Sequence, residues 1–168
     1  MEIKSNRNGW IFPDGQYVSD DDYLSVVLEK TEREVANPLI DHESKQKLIR
    51  ILWSATQIVL GDAQRRTQII PMASRIVELL NDPGHKGFLS FNMGLLMEKL
   101  KRYHDAVDWY TKACKVSTMP REMLYFAHNN LGFCLNTLEC YQHAEKCCRT
   151  AIEIDKDRHN AYKNLGVS

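Results

Sequence analysis

A chain of 168 residues has the length of one domain, and its 43% hydrophobic and 26% charged content is that of an ordinary folded protein, which excludes disorder over most of its length. Basic and acidic side chains balance at 22 each, so no net field gathers polyanions. The densest basic run, Lys99, Lys101, Arg102 and His104, falls where a turn is expected, and nucleic acid is not an expected partner.

In chain order, Glu2, Lys4 and Arg7 are followed by no apolar stretch. Neither a signal peptide nor a membrane span is therefore expected, and the default address is the cytoplasm. Trp10-Ile11-Phe12 and Gln16-Tyr17-Val18 flank the turn sequence Pro13-Asp14-Gly15, which predicts a small hairpin or loop. Ser19 before Asp20, Asp21 and Asp22 caps a helix over 20–36 that Asn37-Pro38 stops. Asp41 caps a second helix, with Leu48, Ile49, Leu52, Trp53, Ala55, Thr56 and Val59 on one broad face and a break near Gly61-Asp62. A third covers 63–80, with Pro71 predicting a kink or late start and Asp82-Pro83-Gly84 closing it.

From there on the chain repeats itself. Asn92-Met93-Gly94, Asn130-Leu131-Gly132 and Asn164-Leu165-Gly166 align, their glycines 38 and then 34 positions apart. Tyr103, Ala106, Tyr110 and Ala113 stand at the same offsets from Gly94 as Tyr141, Ala144, Cys148 and Ala151 do from Gly132. A glycine inside a helix costs about 1 kcal/mol against alanine, so each needs a reason, and close approach of a second helix is one. Ala106 and Ala144 would let two backbones meet, with Leu100, Tyr110, Leu135 and Leu138 filling the remaining volume.

On these residues the segment 87–168 resembles the tetratricopeptide repeat, whose pattern runs Leu-Gly, aromatic, Ala, Phe, Pro. Units run from Gly87 to Pro120 and from Tyr125 to Arg158, with Arg121–Leu124 as extra residues; a third opens at His159 and reaches Ser168 within its first helix. Ser90 and His128 stand for the family's Trp, Cys148 for its Phe and Lys156 for its Pro. Gly61 and Ala73 precede Gly94 and Ala106 by 33 positions each, a hint of a degenerate earlier repeat within an N-terminal region 1–86. The resemblance implies an all-α fold, a right-handed superhelical stack of antiparallel helix pairs with a small N-terminal turn or hairpin. An array ending within a repeat leaves Ala161, Tyr162 and Leu165 partly exposed, which predicts self-association at high concentration.

The same resemblance implies a function of holding a protein or peptide, with no catalysis. In this family the first helix of each repeat lines a concave groove. By register the groove residues are Phe88, Phe91, Asn92 and Leu95, then Phe126, Asn129, Asn130 and Phe133, then Asn160, Lys163 and Asn164. Helical spacing agrees: Phe126, Asn130, Phe133 and Thr137 fall on one stripe. Asn92, Asn130 and Asn164 would form a ladder whose amides pair with the backbone of an extended peptide, resembling the ladder in O-linked N-acetylglucosamine transferases. The alternative is that these amides bond between neighbouring repeats.

Other chemistries are less well supplied. Co-chaperone repeats grip a carboxylate with basic residues at positions occupied here by Asn160 and Asn164, so chaperone-tail binding is disfavoured. Cys140, His143 and Cys147 have the spacing of zinc ligands on one helix, but Cys140 falls in an expected turn. Asp14 with Asp20–Asp22 lacks the alternation of a calcium loop, and no cofactor motif is present. Five cysteines at irregular spacing, Cys147 and Cys148 adjacent, read as reduced thiols. A second reading is that the chain is the targeting or regulatory domain of a longer enzyme, such as a transferase.

Overall fold

In the computed structural model, residues 82–168 are described without a break, and before them residues 4–6, 9–11, 17–19, 22, 26, 29, 33, 37, 41, 43, 44, 47, 70, 71, 74, 75, 77 and 78. Contacts divide the chain into two compact units, Met1–Ile76 and Val77–Ser168.

In the first unit, β2 (Gly9–Ile11) pairs antiparallel with β3 (Tyr17–Ser19), Trp10 opposite Val18, which is the hairpin expected of those apolar runs. A third strand, β1 (Lys4–Asn6), adds to the far side of β2. Its residues, Lys-Ser-Asn, are polar throughout and give no alternation to read. On β3, Val18 is buried and Tyr17 is exposed, as the two-residue period of a strand requires. Both expected caps form. The Asp22 amide donates to Ser19 Oγ at 3.2 Å, and the Ser44 amide donates to Asp41 Oδ1 at 2.9 Å. Asp22, Val26, Glu29 and Arg33 are helical, as are Glu43, Ser44 and Lys47. Ile70 and Pro71 are both helical, and Ser74 Oγ donates to the Ile70 carbonyl. The apolar face from Leu48 to Val59, the break at Gly61-Asp62 and the Gly61–Ala73 register lie outside the described residues.

The second unit is built from α1 (Pro83–Lys99), α2 (Tyr103–Cys114), α3 (Arg121–Thr137), α4 (Tyr141–Ile154) and α5 (His159–Leu165). Asp82-Pro83-Gly84 opens a helix here. Asp82 Oδ2 accepts from the His85 amide at 2.8 Å, and Pro83, whose ring fixes a helical φ and needs no N–H partner, takes the first position. The four residues 121–124 between the two units of the repeat are likewise the first turn of α3. An insertion of four residues is close to one helical turn, so it lengthens the helix without turning its buried side outward.

Each hairpin reverses in the same way. Lys101 (φ 58°) and Glu139 (φ 60°) adopt the left-handed conformation just past α1 and α3. The amides that follow, of Arg102 and Cys140, bond back to the Met97 and Leu135 carbonyls at 2.9 Å. These are two copies of the 6→1 closure that ends many helices, here carried by residues other than glycine. The short reversal lays α2 along α1 and α4 along α3, and the glycines take the crossing. A Cβ on Gly94 would come within 2.5 Å of the Tyr110 ring, and one on Gly132 within 2.6 Å of Cys148 Sγ. Tyr110, Ala106, Ala144, Cys148, Ala113 and Ala151 are all fully buried. Successive hairpins join through two apolar clusters. Ala113, Met119 and Ala127 pack with Phe91, Met123 and Leu124; Tyr125, Ala151 and Ala161 pack with Phe126, Ile152 and Ile154.

One expectation is corrected here. Ala161 is fully buried, because α5 turns that side onto the preceding hairpin at Tyr125 and Ala151; Tyr162 is exposed and Leu165 half-buried, as expected.

The glycine crossings give a direct test. Gly94→Ala raises helix propensity by about 1 kcal/mol but drives a methyl into the Tyr110 ring, an overpacking cost of about 1–3 kcal/mol. Urea denaturation of the variant is expected to show a net loss of stability, and a gain would refute close contact as the role of Gly94.

Candidate peptide-binding groove

The first helices α1, α3 and α5 carry every residue assigned to the groove, and the structure sorts them into three groups by exposure. Phe133 is 38% exposed, and Asn160 and Lys163 are also exposed. Phe88, Phe91, Leu95, Phe126, Asn130 and Asn164 are half-buried, whereas Asn92 and Asn129 are buried. Phe91 lies against Tyr110, ring centroids 5.9 Å apart, and Phe126 meets Tyr125 edge-on at 5.4 Å. Phe133 meets Tyr103 edge-on at 6.3 Å, so an open aromatic face is steadied from the side by the first hairpin.

The asparagines are committed to the stack. Asn92 Nδ2 donates to the Phe88 carbonyl one turn back, at 2.8 Å. Asn164 Nδ2 donates to both Asn129 Oδ1 (3.0 Å) and the Asn129 carbonyl (3.3 Å). Asn129 Nδ2 donates to Asn130 Oδ1 at 3.0 Å, and Asn130 Nδ2 donates to the Tyr110 hydroxyl at 3.3 Å. That hydroxyl donates in turn to Glu98 Oε2 at 2.8 Å. Every step of this chain donates in the same direction and it ends on a carboxylate, an arrangement in which each bond polarises the next. Burial, with Glu98 adding to it, pushes the Tyr110 phenol far above its ordinary range, so the proton stays on the phenol and the donor direction is fixed. Asn136, on the same helix as Asn129, adds a further link by donating to the Asn164 carbonyl at 2.7 Å.

At the other end of α3, Arg158 organises the turn between α4 and α5. Its guanidinium bonds Asp155 Oδ2 and Glu122 Oε1, each at 2.7 Å, and stands over the Phe126 and Tyr125 rings at 4.8 and 5.3 Å. Tyr125 Oη donates to the Arg158 carbonyl (3.2 Å) and accepts from the Ala161 amide (3.3 Å), supplying the acceptor that the start of α5 lacks from its own cap. Arg121 reaches back to the Ile154 carbonyl at the end of α4. Tyr103, Tyr110, Tyr125, Asn136 and Arg158 are not among the groove residues read from sequence. Tyr110 reads there as a packing aromatic and Tyr125 as the first residue of the second unit, and only the fold shows where their hydroxyls go.

The thiols have little chemistry to offer. All five cysteines are free. Burial pushes Cys114 and Cys134 up to about 12 and Cys147 up to about 11, so all three are protonated at neutral pH and poor as nucleophiles or ligands. Among the described residues no group of three or more His, Cys, Asp or Glu side chains could hold a metal ion. His128, at the family's Trp position, has a buried Nδ1 with no hydrogen-bond partner, and burial lowers its pKa.

Paired helices repeating through glycine crossings, with first helices ranked along one face, define a helical-repeat protein of the kind that serves as a protein-interaction scaffold. Residues 125–158 match the family model of the tetratricopeptide repeat, which supports a protein of that family. Solved structures share the fold. BtubC (BKLC) from P. vanneervenii superposes with a TM-score of 0.64 at 16% identity, over 89% of this chain and 65% of its own. A MamA RS-1 ArsTM double mutant superposes with a TM-score of 0.51 at 14% identity, over 86% of this chain and 82% of its own. The chain thus spans about two thirds of the length of BtubC. No curated protein matches the sequence. Among the described residues no helix is long and apolar enough to cross a membrane.

Two stability measurements follow from this geometry. Asn129→Ala and Asn164→Ala, combined in a double-mutant cycle, are expected to show a coupling of about 0.5–2 kcal/mol, since each amide left alone becomes an unsatisfied half-buried group. Additive losses would mean the contact carries no stability. For His128 the folded pKa lies below the unfolded one, so the unfolded chain binds more protons between the two values. Stability is therefore intact above the unfolded pKa of about 6.5 and falls as pH drops below it. His128→Leu is expected to flatten that part of the Tm–pH curve, and an unchanged slope would remove His128 as its source.

Proposed function

We propose that this chain binds an extended peptide segment of another protein along the face formed by α1, α3 and α5, and acts by holding it rather than by catalysis. The observation that carries the reading is Phe133, an exposed aromatic on the middle helix of that face, held by Tyr103, with the half-buried Asn130 about one turn before it on the same helix. Exposed aromatics held rigid lose little freedom on contact and are the residues that dominate binding energy in peptide and protein interfaces. The asparagine amides contribute by keeping successive first helices at fixed separation, since most of their hydrogen bonds are already made inside the stack. Five cysteines at irregular spacing, all of them free, fit a reducing compartment, and the cytoplasm is the proposed site of action.

Peptides derived from candidate partners, titrated against the whole chain by fluorescence anisotropy, provide the test. Phe133→Ala is expected to weaken binding by about tenfold or more while leaving the helical circular-dichroism signal unchanged. If Phe133→Ala together with Asn130→Ala leaves every partner interaction at wild-type affinity, the binding face lies elsewhere.

A further inference from the structure

We infer that the peptide held on this face presents a lysine or arginine side chain to Glu98. The inference rests on the groove reading above and adds the chemistry of the ligand. Glu98 falls one helical stripe along from Phe91 and Leu95, so it belongs to the same face of α1. It is half-buried, and its Oε2 is held at 2.8 Å by the Tyr110 hydroxyl. That hydroxyl is itself held by Asn130, one turn before Phe133.

Glu98 therefore sits at the receiving end of a one-way donor chain with its carboxylate fixed in place and no cation paired to it among the described residues. Lys99 and Lys101 follow it in the chain, but both are exposed and neither makes an ion pair with it, while Arg102 is committed to Asp105. A fixed carboxylate with an oxygen to spare, on the face of α1 that also carries Phe91 and Leu95, is half of a recognition site. The aliphatic stem of a lysine or arginine would lie along the apolar side chains of that face, its cation reaching the carboxylate. An acidic or purely apolar side chain at that point would leave the carboxylate desolvated and unpaired, and the penalty would exclude it.

The whole 168-residue chain, panned against a phage-displayed random dodecapeptide library alongside Glu98→Gln and Phe133→Ala variants, tests this. A glutamine side chain keeps an oxygen for the Tyr110 proton, so the Glu98→Gln variant removes the charge and leaves the fold's hydrogen bond available; an unchanged Tm verifies this. The wild-type chain is expected to enrich Lys or Arg at one fixed position, and Glu98→Gln to lose that enrichment. A selected basic peptide is expected to bind Glu98→Gln about tenfold more weakly, the fold-change of one charge-assisted contact. The same peptide with its basic residue changed to Met is expected to lose affinity for the wild-type chain and to bind Glu98→Gln at least as tightly as wild type. Selected peptides that depend on Phe133 but carry no basic position, or identical selections on wild type and Glu98→Gln, overturn this inference and leave the groove reading standing. Peptides indifferent to Phe133→Ala, or no selected peptide at all, sink the groove reading and this inference with it.

Discussion

Two helices can pack backbone against side chain only where one of them offers no Cβ, and Gly94 and Gly132 offer that gap in the two complete hairpins. The Tyr110 ring fills the first and Cys148 the second, at distances that leave no room for a methyl group. Everything that faces outward depends on this contact. With α2 seated in α1, the Tyr110 hydroxyl emerges at the level of Glu98 and Asn130; with α4 seated in α3, the turn carrying Arg158 arrives over Tyr125 and Phe126. The proposed binding face is thus a by-product of packing between the members of each pair, since the position of α3 beside α1 is set by what α2 and α4 do behind them.

The polar interior follows a compatible logic. A buried amide is costly unless satisfied, and the stack satisfies its asparagines with one another instead of with water. Asn129 gives its proton to Asn130 and takes one from Asn164, so the amides of adjacent helices act as spacers of fixed length. Among the described residues that leaves the aromatic rings, the Glu98 carboxylate and the exposed Asn160 and Lys163 as groups with unused capacity on this face.

Much of the repeat is legible in the sequence because its signal is local. Glycines inside helical patterns and alanines at a fixed offset each have a single-residue physical cause, and the close contacts at Gly94 and Gly132 form where those signals place them. The start of α1 is ambiguous because Asp82-Pro83-Gly84 is as good a stop for one helix as a start for the next, and only the bond from His85 to Asp82 decides it. The extra residues 121–124 give no hint that they are helical, since nothing in Arg-Glu-Met-Leu marks a turn of helix apart from its neighbours. At the candidate site the register ranks α1, α3 and α5 together, but whether an amide faces solvent or its neighbour depends on distances between helices, which no spacing within one helix encodes. Strand β1 is invisible for the opposite reason, as its pairing is made by backbone groups that every residue carries.

The two junctions between hairpins are made of different material. From the first hairpin to the second the contacts are chiefly apolar, through Phe91, Met119 and Ala127, with the Asn130–Tyr110 bond crossing between them. From the second to α5 the chain is tied at both ends of α3, by Glu122 and Tyr125 at one end and by Asn129 and Asn136 at the other. Apolar contact tolerates sliding, whereas hydrogen bonds fix direction as well as distance. Viewed as a spring, the array is stiff in its last segment and compliant in its first, and a guest too long or too bulky for the resting curvature would be accommodated by flexing between α1 and α3.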